Sequence, residues 1–405
     1  MGRQDTDRDK SPQPHSRRKR ILFLSAYPTD AAGTRFRISA YLPYFREHGF
    51  VVDLVPFVDN DFFASFYAPG GQFKKARGLL AASVSRLLLL ISARSYDAVF
   101  VQREAAFLGP EVIERVLTRG FRLPLIFDFD DAIWLPPAQV GATGSRHPLA
   151  ARLLKAPNKT YRLLRMASQV IAGSSYLASV AKDYNQNITT IPTVVGRNQF
   201  YPLSGRLTGA FASEDTSPIV GWIGTHSTAR YLEVVLSALK RLARDGERFR
   251  LRVIGAGKEI HVPGVEVDQP PWSADREVEA FQHLDIGLAP SEVNEWTEGK
   301  CAFKQLQYMA TGVPSVCTLV GGGRDFLRHG ENTLIAESEE DWYHHIKMLL
   351  HDQALRARLS ISARQLVEEE YCIEVQAPRV LHVVQRALCA PASDSANARI
   401  FERPR

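Results

Sequence analysis

The chain has 405 residues, 45% of them apolar and 23% charged. That composition excludes a collagen-like, low-complexity or wholly disordered protein. Its 50 basic and 44 acidic residues leave a net charge of +6, and the first twenty residues alone hold seven Lys/Arg against three Asp. The body of the chain is therefore close to neutral and offers no basic groove for nucleic acid. Four cysteines without a C-x-x-C pair exclude a disulfide framework and a structural zinc site, and they fit a cytoplasmic setting.

Residues 1–19 read as a solvated, disordered basic arm, with contact to an anionic membrane as the alternative. Ile21–Ala26 is an unbroken apolar run of strand length, followed by Gly33 in a loop, a helical pattern through Tyr41 and Phe45, and a second strand-like run at Phe50–Val55. This is a βαβ unit. Gly78–Ala93 is apolar but has 16 residues with Arg86 in the middle, too few to cross a bilayer at roughly 20 residues per span. It reads as a buried core helix within 73–93, with interfacial membrane contact as the alternative. Strand-like runs recur at Ala98–Val101, Leu123–Phe127, Gln169–Ala172 and Ile188–Ile191. Runs without alternation belong to strands covered on both faces, so the sheet is expected to be parallel.

The pattern lapses between Val194 and Pro218, where Gly, Pro, Ser and Thr cluster. A second series of strands and helices follows, opening with Ile219–Ile223 and closing with helices at 339–352, 354–369 and 374–389. The expected organisation is an N-terminal α/β domain at 20–195, a linker at 196–217, a second α/β domain at 218–372, a helix at 373–389 returning to the first domain, and a mobile tail at 390–405. Ligands of such sheets bind beyond the carboxyl ends of the strands, here in the cleft between domains.

Pro290–Val316 is the most informative stretch. It follows a strand and is read as opening a helix after Gly299. At 100° per residue, Lys300, Lys304 and Gln307 fall within about 60° of one another, while Ala302, Phe303, Leu306, Met309 and Ala310 form a separate apolar face. Two lysines beside free N–H groups near Cys301–Phe303 suit a diphosphate; a solvated face is the plain alternative. Elsewhere, Gly224-Thr-His226 ends a strand in a tight turn, and Gly255-Ala-Gly257 ends another. Gly33, Arg35 and Arg37 follow the first strand and suit close approach to an acidic ligand. Asp128, Asp130 and Asp131 sit at a strand's end and must be solvated, paired or bound to a cation. His147 and His226 are lone histidines and read as structural.

Tyr308-Met-Ala-Thr-Gly-Val-Pro314, Leu284-Asp-Ile-Gly-Leu-Ala-Pro-Ser291, Gly321-Gly-Gly-Arg-Asp325 and Gly330-Glu-Asn332 together resemble the donor-binding half of glycosyltransferase family 4, the retaining enzymes of the GT-B fold. The Lys-x-x-x-Lys spacing is similar to a divergent branch of that family. The resemblance implies two Rossmann-like parallel-sheet domains facing across a cleft. It also implies transfer of a sugar from a nucleotide-diphosphate-sugar donor to an acceptor hydroxyl, with retention and without a metal or other cofactor. Lys304, Arg230 and Glu298 are then the candidate catalytic residues. Gly224, Thr225, His226, Gly255, Lys300, Lys304 and Gln307 are the donor-binding ones. Gly33, Arg35, Arg37, Asp130 and Asp131 lie on the acceptor side, the acceptor being a glycan, a lipid-linked group or a small molecule.

The chain departs from the family at two positions: the second signature Glu falls on Gln307 and the first on Gly299, beside Glu298. A carboxylate at 307 is expected to be tolerated, paired with Lys304. Asp128-Phe-Asp130 also has the form of the GT-A metal signature, which the two α/β series argue against. A non-catalytic transferase-like module, or a GT-B epimerase or phosphorylase, are the rival readings. The expected location is cytoplasmic, with peripheral contact at the inner membrane face left open.

Overall fold

The computed structural model describes residues 17–67, 70–107, 109–135, 156, 158–210 and 217–390. Residues 1–16, His147 and the tail from 391 lie outside them. The apolar runs form strands that hide both faces. In the first half these are β1 (Arg20–Ser25), β2 (Val51–Pro56), β3 (Ala98–Gln102), β4 (Leu125–Phe129), β5 (Gln169–Ala172) and β6 (Ile188–Thr190). In the second they are β7 (Ile219–Ile223), β8 (Arg250–Ile254), β9 (Glu266–Asp268), β10 (Ile286–Ala289), β11 (Ser315–Cys317) and β12 (Leu334–Ile335). Among the described residues they build two parallel sheets of six strands, ordered β2-β1-β3-β4-β5-β6 and β12-β11-β10-β7-β8-β9. Strand order reverses between β1 and β3 and again between β7 and β10, the topological switch points at which ligands enter such sheets.

Four helices of the first half concern the site: α1 (Ala32–Arg37), α2 (Leu42–Glu47), α3 (Asn60–Tyr67) and α4 (Gln72–Leu88). A 3-10 turn, Leu89–Ser95, prolongs α4. Two of these depart from the pattern. α3 occupies a stretch where the sequence pattern marked no element, and α4 is not a core helix. Phe73, Leu80, Val84, Leu87, Leu88 and Ile91 are exposed, whereas Arg86 is buried. The charge that interrupts the apolar run is turned inward, and the apolar stripe faces out.

The chain passes between the sheets near Val195 and near Cys372, and these crossings lie together: Ile373 N donates to Val195 O at 3.0 Å. Ala377, Val380, Leu381, Val383 and Val384 of the helix Ile373–Cys389 pack with Ile21, Phe23, Phe100 and Ile126 of the first sheet. Residues 196–210 are bound to the second domain. Arg206 forms a buried ion pair with Asp285 at 3.0 Å, and Asp285 also accepts from Ile219 N at 2.8 Å. Phe36 of α1 reaches the other way. It joins the core of the second domain, its ring 4.6 Å from that of Phe303.

Candidate active site

A cavity of about 1170 Å³ lies between the domains, at the carboxyl ends of β1, β2, β7, β8 and β9. Its floor is two glycine turns placed back to back. Gly224 N donates to Ile254 O at 2.9 Å. Gly255 has φ +79°, and a Cβ there would lie 2.2 Å from Gly224 O. A side chain at 255 would drive the two turns apart, and one at 224 would run into the Trp222 ring and Thr228 Oγ1. Thr225 N donates to Thr228 Oγ1 at 3.0 Å and closes the first turn. Gly224, Thr225, His226 and Gly255 all line the cavity, with Trp272 beside the second turn.

The helix Phe303–Ala310 supplies the opposite wall. It does not open directly after Gly299, as the spacing predicts, because Ala302 adopts φ +52° and interrupts the chain just before it. Lys300 consequently lies outside the helix and outside the cavity lining; its ammonium rests 4.9 Å from the Trp296 ring centre. Lys304 and Gln307 do line the cavity. The Lys304 ammonium lies 4.6 Å from the Trp222 ring centre. Burial, with the charge of Lys300 added, pushes it down to about 7, and no described carboxylate opposes the shift. The Gln307 amide is engaged by Glu277: it donates to Oε1 at 3.2 Å, and Glu277 Oε2 pairs with Arg35 at 2.8 Å. This chain of three side chains crosses from the second domain to the first inside the cavity.

Lys304 and the Gln307–Glu277 pair thus line one cavity between the two sheets. Residues 217–352 match the family model for glycosyl transferases group 1. The chain carries a group 1 glycosyltransferase domain. It is a glycosyltransferase of the GT-B fold, and solved structures of that fold superpose over nearly its whole length. Sucrose-phosphate synthase from Thermosynechococcus elongatus covers 92% of this chain and 100% of its own, with a TM-score of 0.67 and 14% identity. The catalytic domain of starch synthase IV from Arabidopsis thaliana, bound to ADP and acarbose, covers 92% and 100%, with 0.65 and 13%. HepE of Anabaena, in complex with UDP and glucose, covers 91% and 99%, with 0.62 and 14%. No curated protein matches the chain.

Several residues picked from the glycosyltransferase's sequence are held elsewhere. Arg230 lies off the cavity, donating to Tyr231 Oη at 3.2 Å and 3.6 Å from Glu292. Glu298 is taken by Arg324 at 2.7 Å and by Gly321 N at 3.0 Å, which hold it below the usual carboxylate range. Gly33 faces Gln102, whose Nε2 would lie 3.2 Å from a Cβ at 33. Arg37 is not available to an acidic acceptor. It is buried, donates through Nε to Asp128 at 2.8 Å and through Nη1 to Thr193 at 3.1 Å. β4 runs two residues further than the apolar pattern suggested, which puts Asp128 inside the strand.

Asp130 and Asp131 both pair with Arg103, at 2.7 and 3.3 Å. Burial raises both carboxyls. Arg103 and Arg37 outweigh that at Asp130 and hold it low, whereas Asp131 stays raised despite Lys300 and Arg103. The Cys301 thiol donates to Asp130 O at 3.2 Å, so the loop before the helix Phe303–Ala310 is pressed onto the end of β4. Sequence reasoning passed over Glu277 and Trp272. Neither sits in a motif, and only the fold brings them to Gln307 and to the glycine turns.

Proposed function

We propose that this glycosyltransferase moves a sugar with retention from a nucleotide-diphosphate-sugar to an acceptor hydroxyl in the cytoplasm, without a resident metal. Lys304 carries the reading. A cation at the start of a helix, in the cleft between the domains and facing no described carboxylate, suits the diphosphate that departs when the glycosidic bond forms. Arrival of that anion raises the lysine back to full charge in a medium where charge acts strongly. The glycine turns admit the nucleoside backbone-close, with Trp272 placed to face the base. Gln307 and Glu277 together offer a donor amide and a carboxylate to the ribose hydroxyls, a pair in place of the family's single carboxylate. Starch synthase IV and HepE, which share the fold, were solved with ADP and with UDP and glucose.

On the acceptor side, Arg35 spans the cleft, while Asp130 and Asp131 shape its wall. The carboxylates of Asp128, Asp130 and Asp131 are each engaged by Arg37 or Arg103, which supports chemistry that does not pass through an Asp-x-Asp metal. Four free cysteines suit a reducing compartment.

The test is incubation with UDP-, GDP-, ADP- and dTDP-sugars with and without EDTA, with chromatographic detection of free nucleoside diphosphate. Release from one donor class, resistant to EDTA and lost in Lys304→Ala, is expected. Release that stops with EDTA and returns with Mn²⁺ would overturn the metal-free reading; no release from any donor would favour a non-catalytic module.

A further inference from the structure

The segment Gln72–Ser95 is one continuous helical rod of 24 residues, long and apolar enough to cross a membrane, with only 11% of its apolar window buried. Phe73 is 82% exposed and Ile91 79%. Leu80, Val84, Leu87 and Leu88 lie between them at helical spacings, so the six form one side of the rod. The other side binds the rod to the first domain. Arg86 donates to Val55 O at 3.0 Å and to Ser25 O at 3.3 Å. Gly78 abuts α3 so closely that a Cβ would come 2.0 Å from the Phe62 ring. A rod held this way along its length does not span a bilayer; it presents a face.

The charges along the rod itself are of one sign. From Phe62 to Tyr96 the sequence has no Asp or Glu, while Lys74, Lys75, Arg77 and Arg94 stand near the ends of the stripe. Lys74, Arg77 and Arg94 are exposed. An apolar stripe with a basic border and no acidic residue is the pattern that lies in the headgroup region of an anionic bilayer. A second copy packed stripe to stripe would bring these cations together with no carboxylate between them, so charge argues against a dimer there.

We propose that α4 docks the protein on an anionic membrane surface, its axis in the plane of the interface. α3, packed against α4, supplies Asn60, Phe63 and Ala64 to the cavity wall. Docking therefore brings the cleft's first-domain rim to the lipid, within reach of a membrane-borne acceptor.

The test is co-sedimentation with vesicles of phosphatidylcholine alone or mixed with phosphatidylglycerol. The full chain is expected to bind the mixed vesicles, less so in high salt, and to leave phosphatidylcholine alone. Combined Leu80→Ser, Leu87→Ser and Ile91→Ser alters only exposed side chains and is expected to weaken binding about tenfold or more. Combined Lys74→Glu and Arg77→Glu is expected to weaken it as well. Nucleoside diphosphate binding, measured in parallel, reports on the cavity separately. The proposal is overturned if the parent ignores both vesicle types, if the serine variant binds as the parent does, or if the parent is a dimer that the serine substitutions dissolve.

Discussion

A lysine desolvated against an indole face, with a second lysine nearby, is costly until an anion arrives. For Lys304 the cost has a defined pH window. Its ammonium titrates near 7 in the fold and about 10.4 in an unfolded chain. Between those values the unfolded chain binds more protons, so stability of the ligand-free protein rises with pH from about 7 to about 10. Lys304→Met is expected to flatten that rise and to increase the thermal midpoint at pH 7; calorimetry at several pH values checks it. The same substitution should remove a second slope. Because the diphosphate restores the proton, parent affinity for nucleoside diphosphate is expected to fall as pH rises above 7, and that of Lys304→Met to be weak and flat.

Gln307 calls for a different forecast from the one its spacing to Lys304 suggested. Its amide donates to Glu277, and a carboxylate there would face another at hydrogen-bond distance. Gln307→Glu is expected to lose roughly 1–2 kcal/mol relative to the parent at pH 8. Most of this should return near pH 5, where one carboxyl of the pair takes a proton. Denaturant titrations at the two pH values decide it; no difference would mean the pair opens without cost.

At the scale of elements, three neighbouring residues of α1 point three ways. Arg35 reaches Glu277 across the cleft, Phe36 enters the core of the second domain, and Arg37 neutralises Asp128 in its own sheet. The 299–302 loop answers from the other side. A Cβ on Gly299 would lie 2.3 Å from the Ala132 Cβ and 2.8 Å from Ala132 N, while Gly299 itself has an ordinary φ of −75°. The glycine serves the approach of the domains and not the backbone of its own turn. Gly299→Ala is therefore expected to keep nucleoside diphosphate affinity within about threefold and to lose most transferase activity, with a larger radius of gyration by solution scattering. Unchanged activity would show that this contact is not needed for turnover.

The elements also show what the sequence could reveal. Unbroken apolar strands announced two parallel sheets, and the residues before Pro314 announced the helix Phe303–Ala310, because both are local patterns. Local pattern could not foresee that Arg37 and Arg103 would consume the aspartates at the end of β4. Nor could it foresee that Arg324 would hold Glu298, or that Ala302 would take a left-handed conformation and push Lys300 off the helix. Those outcomes depend on which loops meet across the cleft. The exposure of α4 was hidden for the same reason: an apolar helical run looks alike whether its stripe meets a core or leaves the molecule.

For the whole molecule, the two chain crossings form one short paired strip. Val195 and Cys372 bridge, and Arg364 fastens the strip by donating to Phe200 O at 2.6 Å and Arg197 O at 3.2 Å. The two domains are therefore tied together at the crossings, while Arg35–Glu277 and the Cys301–Asp130 contact join them again across the cleft. On the proposed reading the cavity holds a nucleoside diphosphate on Lys304. Isothermal titration of UDP, GDP, ADP and dTDP, each beside its nucleoside, into the parent and Lys304→Met tests it most directly. One diphosphate is expected to bind the parent, and the substitution to weaken it about tenfold or more while changing the matching nucleoside less than threefold. Equal affinities of parent and variant for that diphosphate would contradict the account.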